Sequence, residues 1–453
     1  MERPLFNFLV AAWLLSGVND GYNRIMLHLI LLALALALLQ NPGEQAALEI
    51  IRTALSQGDL DSAESAAQEV IRNYPNNAQV HYLLAGIRSR QRRFLDAEQE
   101  FLRVIELDPE FTDAYLLLDT LYRNLDRTED ALSILNRGLK KLPDNPAIRF
   151  QLGQLYMILR NFSKALEILQ QIPEEQAPSE YWDTLGKLHT LSGNLANAEQ
   201  AYRKYLERYP ESVRTLHTLS AIALQRGEKS LAWEYIAKAR RKAPNSPQIL
   251  LDFAYISIAE NLVGEAAAAL QFLLLMQPDN TDAIFELGSA FIHFANFDSS
   301  RELFHQYVKL KPNDPMGHAM LGYVLYLSNQ FDEARKRLNR ALELDPKLTD
   351  AKFYLGMVDF SQAKDENAEK LFREVISQSG DHGRAYLNLG KLYLRKRRIE
   401  EAREVLEKAV RIMPADFEVH FQLSRVYAAA GEREKAMHSL QLFNKYQKEK
   451  EKR

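Results

Sequence analysis

Cysteine is missing altogether from these 453 residues. Its absence excludes disulfides, thiolate nucleophiles, zinc sites built on sulfur and a cysteine-linked lipid anchor. The compartment stays open, because a disulfide-free protein can work on either side of a membrane. An excess of one charge is also lacking: 57 Lys and Arg face 60 Asp and Glu, for a formal net charge of −3. Bulk attraction to nucleic acid or to an anionic membrane is therefore not expected, and no nucleic-acid partner is assigned. The chain also lacks HExxH, GxGxxG, GxSxG and a phosphate-binding GxxxxGKS or GxxxxGKT. No catalytic residue, metal ligand or cofactor site is assigned, and a non-enzymatic protein is expected.

Long apolar runs are confined to the first forty residues. "LFNFLVAAWLL" (5–15) is followed by "IMLHLILLALALALL" (25–39), interrupted only by His28. Fifteen residues suit a signal-peptide core better than a bilayer-spanning helix, which needs about 20. Arg24 lies on its N-terminal side, and small-x-small sites at Ala33–Ala35 and Ala35–Ala37 precede "QNPGEQ". Residues 1–40 are read as a signal peptide or membrane-anchoring segment, with membrane association through residues 25–39 and an exported or anchored location. An apolar helix packed against the rest of the chain is the plainer alternative.

What the chain has is a beat. Pro75, Pro109 and Pro143 are 34 residues apart; after a slip of one, Pro210, Pro244, Pro278, Pro312 and Pro346 keep the interval, and Pro414 lies two intervals on. Nine of the 16 prolines therefore serve one position of a repeating frame. A small residue holds a fixed place before each, as at Ala97, Ala131, Ala334 and Ala402, with a large apolar one four residues later, as at Phe101, Leu135, Leu338 and Leu406. Earlier in the frame stand Leu152-Gly153, Leu185-Gly186, Leu287-Gly288, Leu321-Gly322, Leu355-Gly356 and Leu389-Gly390. These spacings describe two helices joined by a short polar turn. The small residues let the helices approach, and the bulky one fills the groove between them. Proline closes the second helix. The duplicated "ELDPEFTDA" (106–114) and "ELDPKLTDA" (343–351) are junctions of this frame, and Thr112-Asp113 and Thr349-Asp350 are expected to cap the next helix. His81, His318 and His420 occupy a bulky packing position and are read as core. "LRKRRIEEAR" (394–403) is read as a solvated turn.

The frame resembles the tetratricopeptide repeat. The likeness covers residues 44–450 in twelve units beginning near 44, 78, 112, 146, 179, 213, 247, 281, 315, 349, 383 and 417, within a repeat region of 41–453. It implies an all-α, right-handed superhelical solenoid of about twelve helix–turn–helix repeats. The fourth unit is one residue short, so irregular stacking is expected at 172–180. Asp119 stands where the third unit should have a small residue.

The resemblance further implies that a stripe at positions 2, 5, 9 and 12 of each first helix lines a concave groove for extended peptides or helices. In the later units that groove would offer Tyr255, Phe285, Tyr323, Tyr326, Phe353, Met357 and Phe360, then the basic Arg384, Lys391 and Arg395. Aromatic and methionine side chains suit an adaptable apolar partner, and the basic cluster suits a carboxylate. The expected function is a protein-interaction scaffold holding protein or peptide partners in the groove. Alternatives are an adaptor for a separate enzyme, such as a glycosyltransferase, or an assembly factor of an envelope export or appendage system.

Overall fold

A computed structural model describes residues 42–451, so the apolar segments at 5–15 and 25–39 lie outside the described residues. Within them are 24 α-helices, one short 3-10 turn (Glu174–Gln176) and no strand. No helix there is long and apolar enough to cross a membrane. The helices fall into two compact units, one ending at Arg208 and one starting at Tyr209. The first takes five helical pairs, from Pro42–Ser56 with Leu60–Asn73 to Tyr181–Leu191 with Leu195–Arg208; the second takes seven, from Val213–Gln225 with Lys229–Lys242 to Phe417–Ala429 with Arg433–Glu451. The short fourth unit ends in an abbreviated helix, Phe162–Leu169, and the 3-10 turn replaces its missing length.

Packing within a pair follows the small and large positions of the frame. A Cβ on Gly153 would sit 2.6 Å from the Leu169 side chain, and one on Gly356 would sit 2.7 Å from the Phe372 ring. Neither contact is tolerable, so glycine sets how closely the two helices approach. Ala97, Ala131, Ala334, Ala368 and Ala402 are fully buried at the matching place on the second helix. Each unit then needs its neighbour: Tyr115, Leu118, Leu135, Ile148 and Leu169 form a continuous core in the first compact unit, and Phe304, Leu338, Val358 and others do so in the second.

Three periodic devices supplement this core. His81, His318 and His420 each place Nε2 within 2.8–3.1 Å of the carbonyl of the proline six residues earlier, Pro75, Pro312 and Pro414. Tyr115 donates to the Pro109 carbonyl from the same position. These histidines tie a helix to the turn before it. Arginine at the start of a second helix reaches back to a glutamate one unit earlier, as in Arg93–Glu64, Arg127–Glu98 and Arg398–Glu369. The last such junction reverses the charges, pairing Arg403 with Glu432. Finally, all twelve intra-pair turns use a left-handed residue at one position. Gly58, Gly193, Gly227 and Gly431 fill it in four units; the other eight carry residues such as Ala295, Asn329 and Ala363, which bear the cost of a Cβ there.

One expectation about the junctions needs correcting. The N-caps are Phe111 and Leu348, without a side-chain cap, so Thr112 and Thr349 already lie inside their helices. The acceptor is the aspartate of the preceding ELDP: Asp108 accepts from the Glu110 backbone N–H at 3.0 Å, and Asp345 from that of Lys347 at 2.9 Å. A short carboxylate bonding two residues ahead stabilises the turn itself, leaving the helix start to neighbouring packing.

Candidate interaction groove

Within the second compact unit, five successive first helices carry the candidate residues: Pro247–Ala259, Thr281–His293, Pro315–Leu327, Thr349–Ser361 and Gly383–Arg395. Tyr255 is exposed on the first of these. Phe285 is half-buried against Phe304 and Tyr307, with ring centroids 5.5 and 5.2 Å away. Tyr323 and Tyr326 are half-buried and stack nearly parallel, 6.4 Å apart. The Tyr326 hydroxyl meets Ser361 Oγ at 3.5 Å. Met357 and Phe360 are half-buried on the next helix.

Phe353 departs from the expected open wall. It is 5% exposed, packed on Phe372 and against His382 at 4.7 Å. The bulky residue of its own second helix and the turn of the next unit close over it, so its ring belongs to the core. Its sequence neighbour Tyr354, absent from the expected stripe, is half-buried and stacks its ring on Tyr323 at 4.3 Å and 14°. The clue was one position away. Asp252, Glu286, Met320, Tyr354 and Asn388 occupy the same place in five consecutive units, and all are half-buried.

The basic cluster is largely neutralised. Lys391 pairs with Glu418. Arg395 pairs with Asp365, donates to the Phe360 carbonyl at 3.0 Å and lays its guanidinium 3.9 Å over the Phe360 ring. Arg384 is different: it is exposed and makes no ion pair among the described residues. It lies close enough to the stacked tyrosines to oppose the upward push that burial gives the phenols of Tyr323 and Tyr354. The site thus presents a pair of parallel aromatic faces beside a cation that no described carboxylate neutralises.

Further along, Tyr255, Asp282, Glu286, Tyr307 and Met316 line a small cleft of about 160 Å³. Burial, assisted by Asp282, pushes the Glu286 carboxyl above the ordinary range. Tyr307 donates to Asp314 Oδ2 at 2.5 Å, which fixes the cleft wall. Among the described residues no group of three histidines or carboxylates is placed to hold a metal ion.

Paired helices recurring every 34 residues, each pair packed on the next, define a helical-repeat solenoid. The chain belongs to the tetratricopeptide repeat family. One model of that repeat matches residues 48–110, 184–247, 252–315 and 387–440, more than half of the chain. Two others match 125–188 with 360–412, and 315–348. Among curated proteins, the anaphase-promoting complex subunit CDC16 of Saccharomyces cerevisiae is 23% identical over 380 residues, covering 79% of this chain and 44% of that protein. The chain therefore spans less than half the length of that relative. The TPR repeat-containing protein YpiA of Bacillus subtilis is 22% identical over 359 residues, covering 78% and 76%. Among solved structures, the anaphase-promoting complex hetero-tetramer Cut9–Hcn1 aligns over 91% of this chain and 95% of its own at 14% identity, with a TM-score of 0.46.

Proposed function

We propose that this protein is a non-enzymatic interaction scaffold whose second compact unit holds a segment of another polypeptide along its first helices. Family membership supports the scaffold role. The observation that carries the finer reading is the Tyr323–Tyr354 stack with Arg384 near it, which makes no ion pair among the described residues. Stacked rings offer flat apolar area whose conformational entropy is already lost, so a partner side chain settles there at small ordering cost. An unpaired guanidinium beside them selects a carboxylate in the same segment. In this reading residues 25–39 also give the scaffold membrane association or export.

The test is capture of partners on the immobilised chain, with Arg384→Glu and Tyr323→Ala variants of unchanged helicity alongside. A partner retained by the parent and lost by both variants supports the groove; identical capture by all three refutes it. Fractionation of cells making the chain with and without residues 1–40 decides the location separately. Equal distribution of the two would remove the membrane from the account.

A further inference from the structure

In the second compact unit, one second helix shows an apolar outward side where its neighbours show charge. That helix is Val263–Met276, and from Ala266 onward its only polar residue is Gln271. Its inward side, with Ala266, Ala269, Leu270 and Leu273, is buried. The opposite side is open: Leu275 is 81% exposed, Phe272 39% and Met276 37%. Gly264 and Ala268 are exposed on the same side, and a Cβ on Gly264 would meet nothing within 4 Å. Glycine weakens a helix, and no contact inside the chain requires it here. Elsewhere in this compact unit the place of Leu275 in the frame is held by Arg241, Lys309, Glu343, Ser377 and Arg411. A helix that is apolar outward as well as inward is suited to burial on both sides.

The flanking charges are ordered along the helix. In the frame, Ala268 stands between Glu234 and Glu302, whereas Leu275, two turns later, stands between Arg241 and Lys309. All four flanking residues are exposed, and Arg241, Glu302 and Lys309 make no ion pair among the described residues. Acid therefore precedes base along the outward face. We infer that this face is the contact between two copies of the chain, packed antiparallel about a two-fold axis near Gln271. Reversing the helix direction lays Leu275 of each copy between Gly264 and Ala268 of the other, a large side chain in the gap that two small ones leave. The same operation sets Lys309 opposite Asp298 and Glu302 of the second copy, and Arg241 near its Glu234. Parallel packing would instead bring Arg241 to Lys309 and Glu234 to Glu302, and an anionic bilayer would suit only the basic half. With the helices on either side, the face offers roughly 600 Å², below the ~800 Å² per partner of a standard interface, so a weak, reversible dimer is expected. The second helices alone carry this inference, and it stands whether or not the first helices hold a partner.

Analytical ultracentrifugation of the full chain over a concentration series tests this, with Leu275→Glu, Lys309→Glu, Glu302→Lys and the double variant Lys309→Glu with Glu302→Lys alongside. Leu95→Glu is the control, at a leucine of the first compact unit that is 71% exposed. Every substituted side chain is exposed, so all variants should keep the parent's helicity. The expected result is a dimer with a dissociation constant of roughly 1–100 µM. Leu275→Glu should raise it at least about tenfold, and each single charge reversal about three- to tenfold. The double variant should return to within about twofold of the parent, because exchanging both charges preserves the antiparallel pairing. Leu95→Glu should change nothing. Four results would overturn the proposal. One is a parent that stays monomeric at about 200 µM. Another is a dimer that Leu275→Glu leaves intact, which would place the association elsewhere, the apolar segments before residue 41 included. A third is a double variant no stronger than the single ones. The last is a monomeric parent that binds vesicles of phosphatidylserine and phosphatidylcholine through Leu275, which would assign the face to a bilayer.

Discussion

The first helices around Gly86 and those around Tyr323 obey one repeat frame, yet they offer opposite surfaces. Around Tyr323 the first helices carry large rings, and the rings are themselves covered: Tyr323 lies on Tyr354, and Phe360 lies under Arg395. The half-buried Tyr323 and Tyr354 lie near Arg384, which no described carboxylate pairs. Around Gly86 the helix carries no side chain, and a hollow persists between Leu55, Tyr82 and Leu117. The difference teaches that a repeat fixes where the first-helix residues stand, while side-chain volume decides whether that place is filled or left hollow.

The largest expected effect probes the line between wall and core. Phe353→Ala should cost about 3–5 kcal/mol, because its ring is buried among Tyr354, Phe372 and His382. Thermal unfolding measures it. A cost below about 1 kcal/mol would return Phe353 to the open groove.

Next comes a matched pair of glycines in the first unit. Gly153→Leu forces a side chain into Leu169 and should cost about 3 kcal/mol, whereas Gly86→Leu should cost nothing and add up to about 1 kcal/mol. Similar melting temperatures for the two variants would break the contrast between packed and empty glycines.

A smaller effect concerns Asp119, on the helix that supplies Leu117 and Leu121 to the hollow beside Gly86. Burial pushes its carboxyl up from 3.8 to about 6, and Arg123, 2.9 Å away, offsets only part of that cost. A raised acid pKa means the folded state holds the proton more tightly than the unfolded chain. Stability contributed by the protonated acid is thus present below 3.8 and lost as pH rises through about 6. Asp119→Ala should therefore gain about 1–3 kcal/mol over the parent at pH 8, with the gain shrinking toward pH 4. A pH-independent difference in denaturant midpoints would contradict this.

The smallest expected effect on stability is at Arg384. Arg384→Glu should change unfolding free energy by less than about 0.5 kcal/mol, since the side chain is exposed and makes no ion pair among the described residues. A larger loss would mean that Arg384 serves the fold.

The repeat itself was legible because many registered positions agree, and each has a steric cause: alanine and glycine where helices touch, leucine or phenylalanine four residues on, proline where the helix ends. The turns were less legible. Eight of the twelve left-handed turn residues are not glycine, so residues such as Ala295 and Ala363 conceal a backbone requirement that Gly58 and Gly193 display. Cap chemistry was misplaced from Asp108 to Thr112 because both residues are good short-range acceptors, and only the backbone path tells them apart. Phe353, expected on the open stripe, is buried, and its neighbour Tyr354 is the half-buried one. One residue turns a helix by about 100°, and both flank the boundary between packed and open faces. The neighbours Phe372 and His382, 19 and 29 residues away, decide which is covered. Gly86 escaped notice because the small packing position in its unit is Ala85, and no local pattern marks the space in front of its neighbour.

The absence of cysteine gives the most direct test of the central claim, that the Tyr323–Tyr354 face with Arg384 is where a partner polypeptide is held. Ser361→Cys places the only thiol of the chain beside the Tyr326 hydroxyl, and Lys336→Cys places one on an exposed second helix as a control. Each is loaded with a photoactivatable crosslinker, with and without Arg384→Glu, and the crosslinked segments are sequenced. The account predicts a segment bearing an apolar residue near a carboxylate, captured from position 361, absent from position 336 and lost with Arg384→Glu. Equal capture from both positions, or capture from 361 that survives the charge reversal, would contradict it.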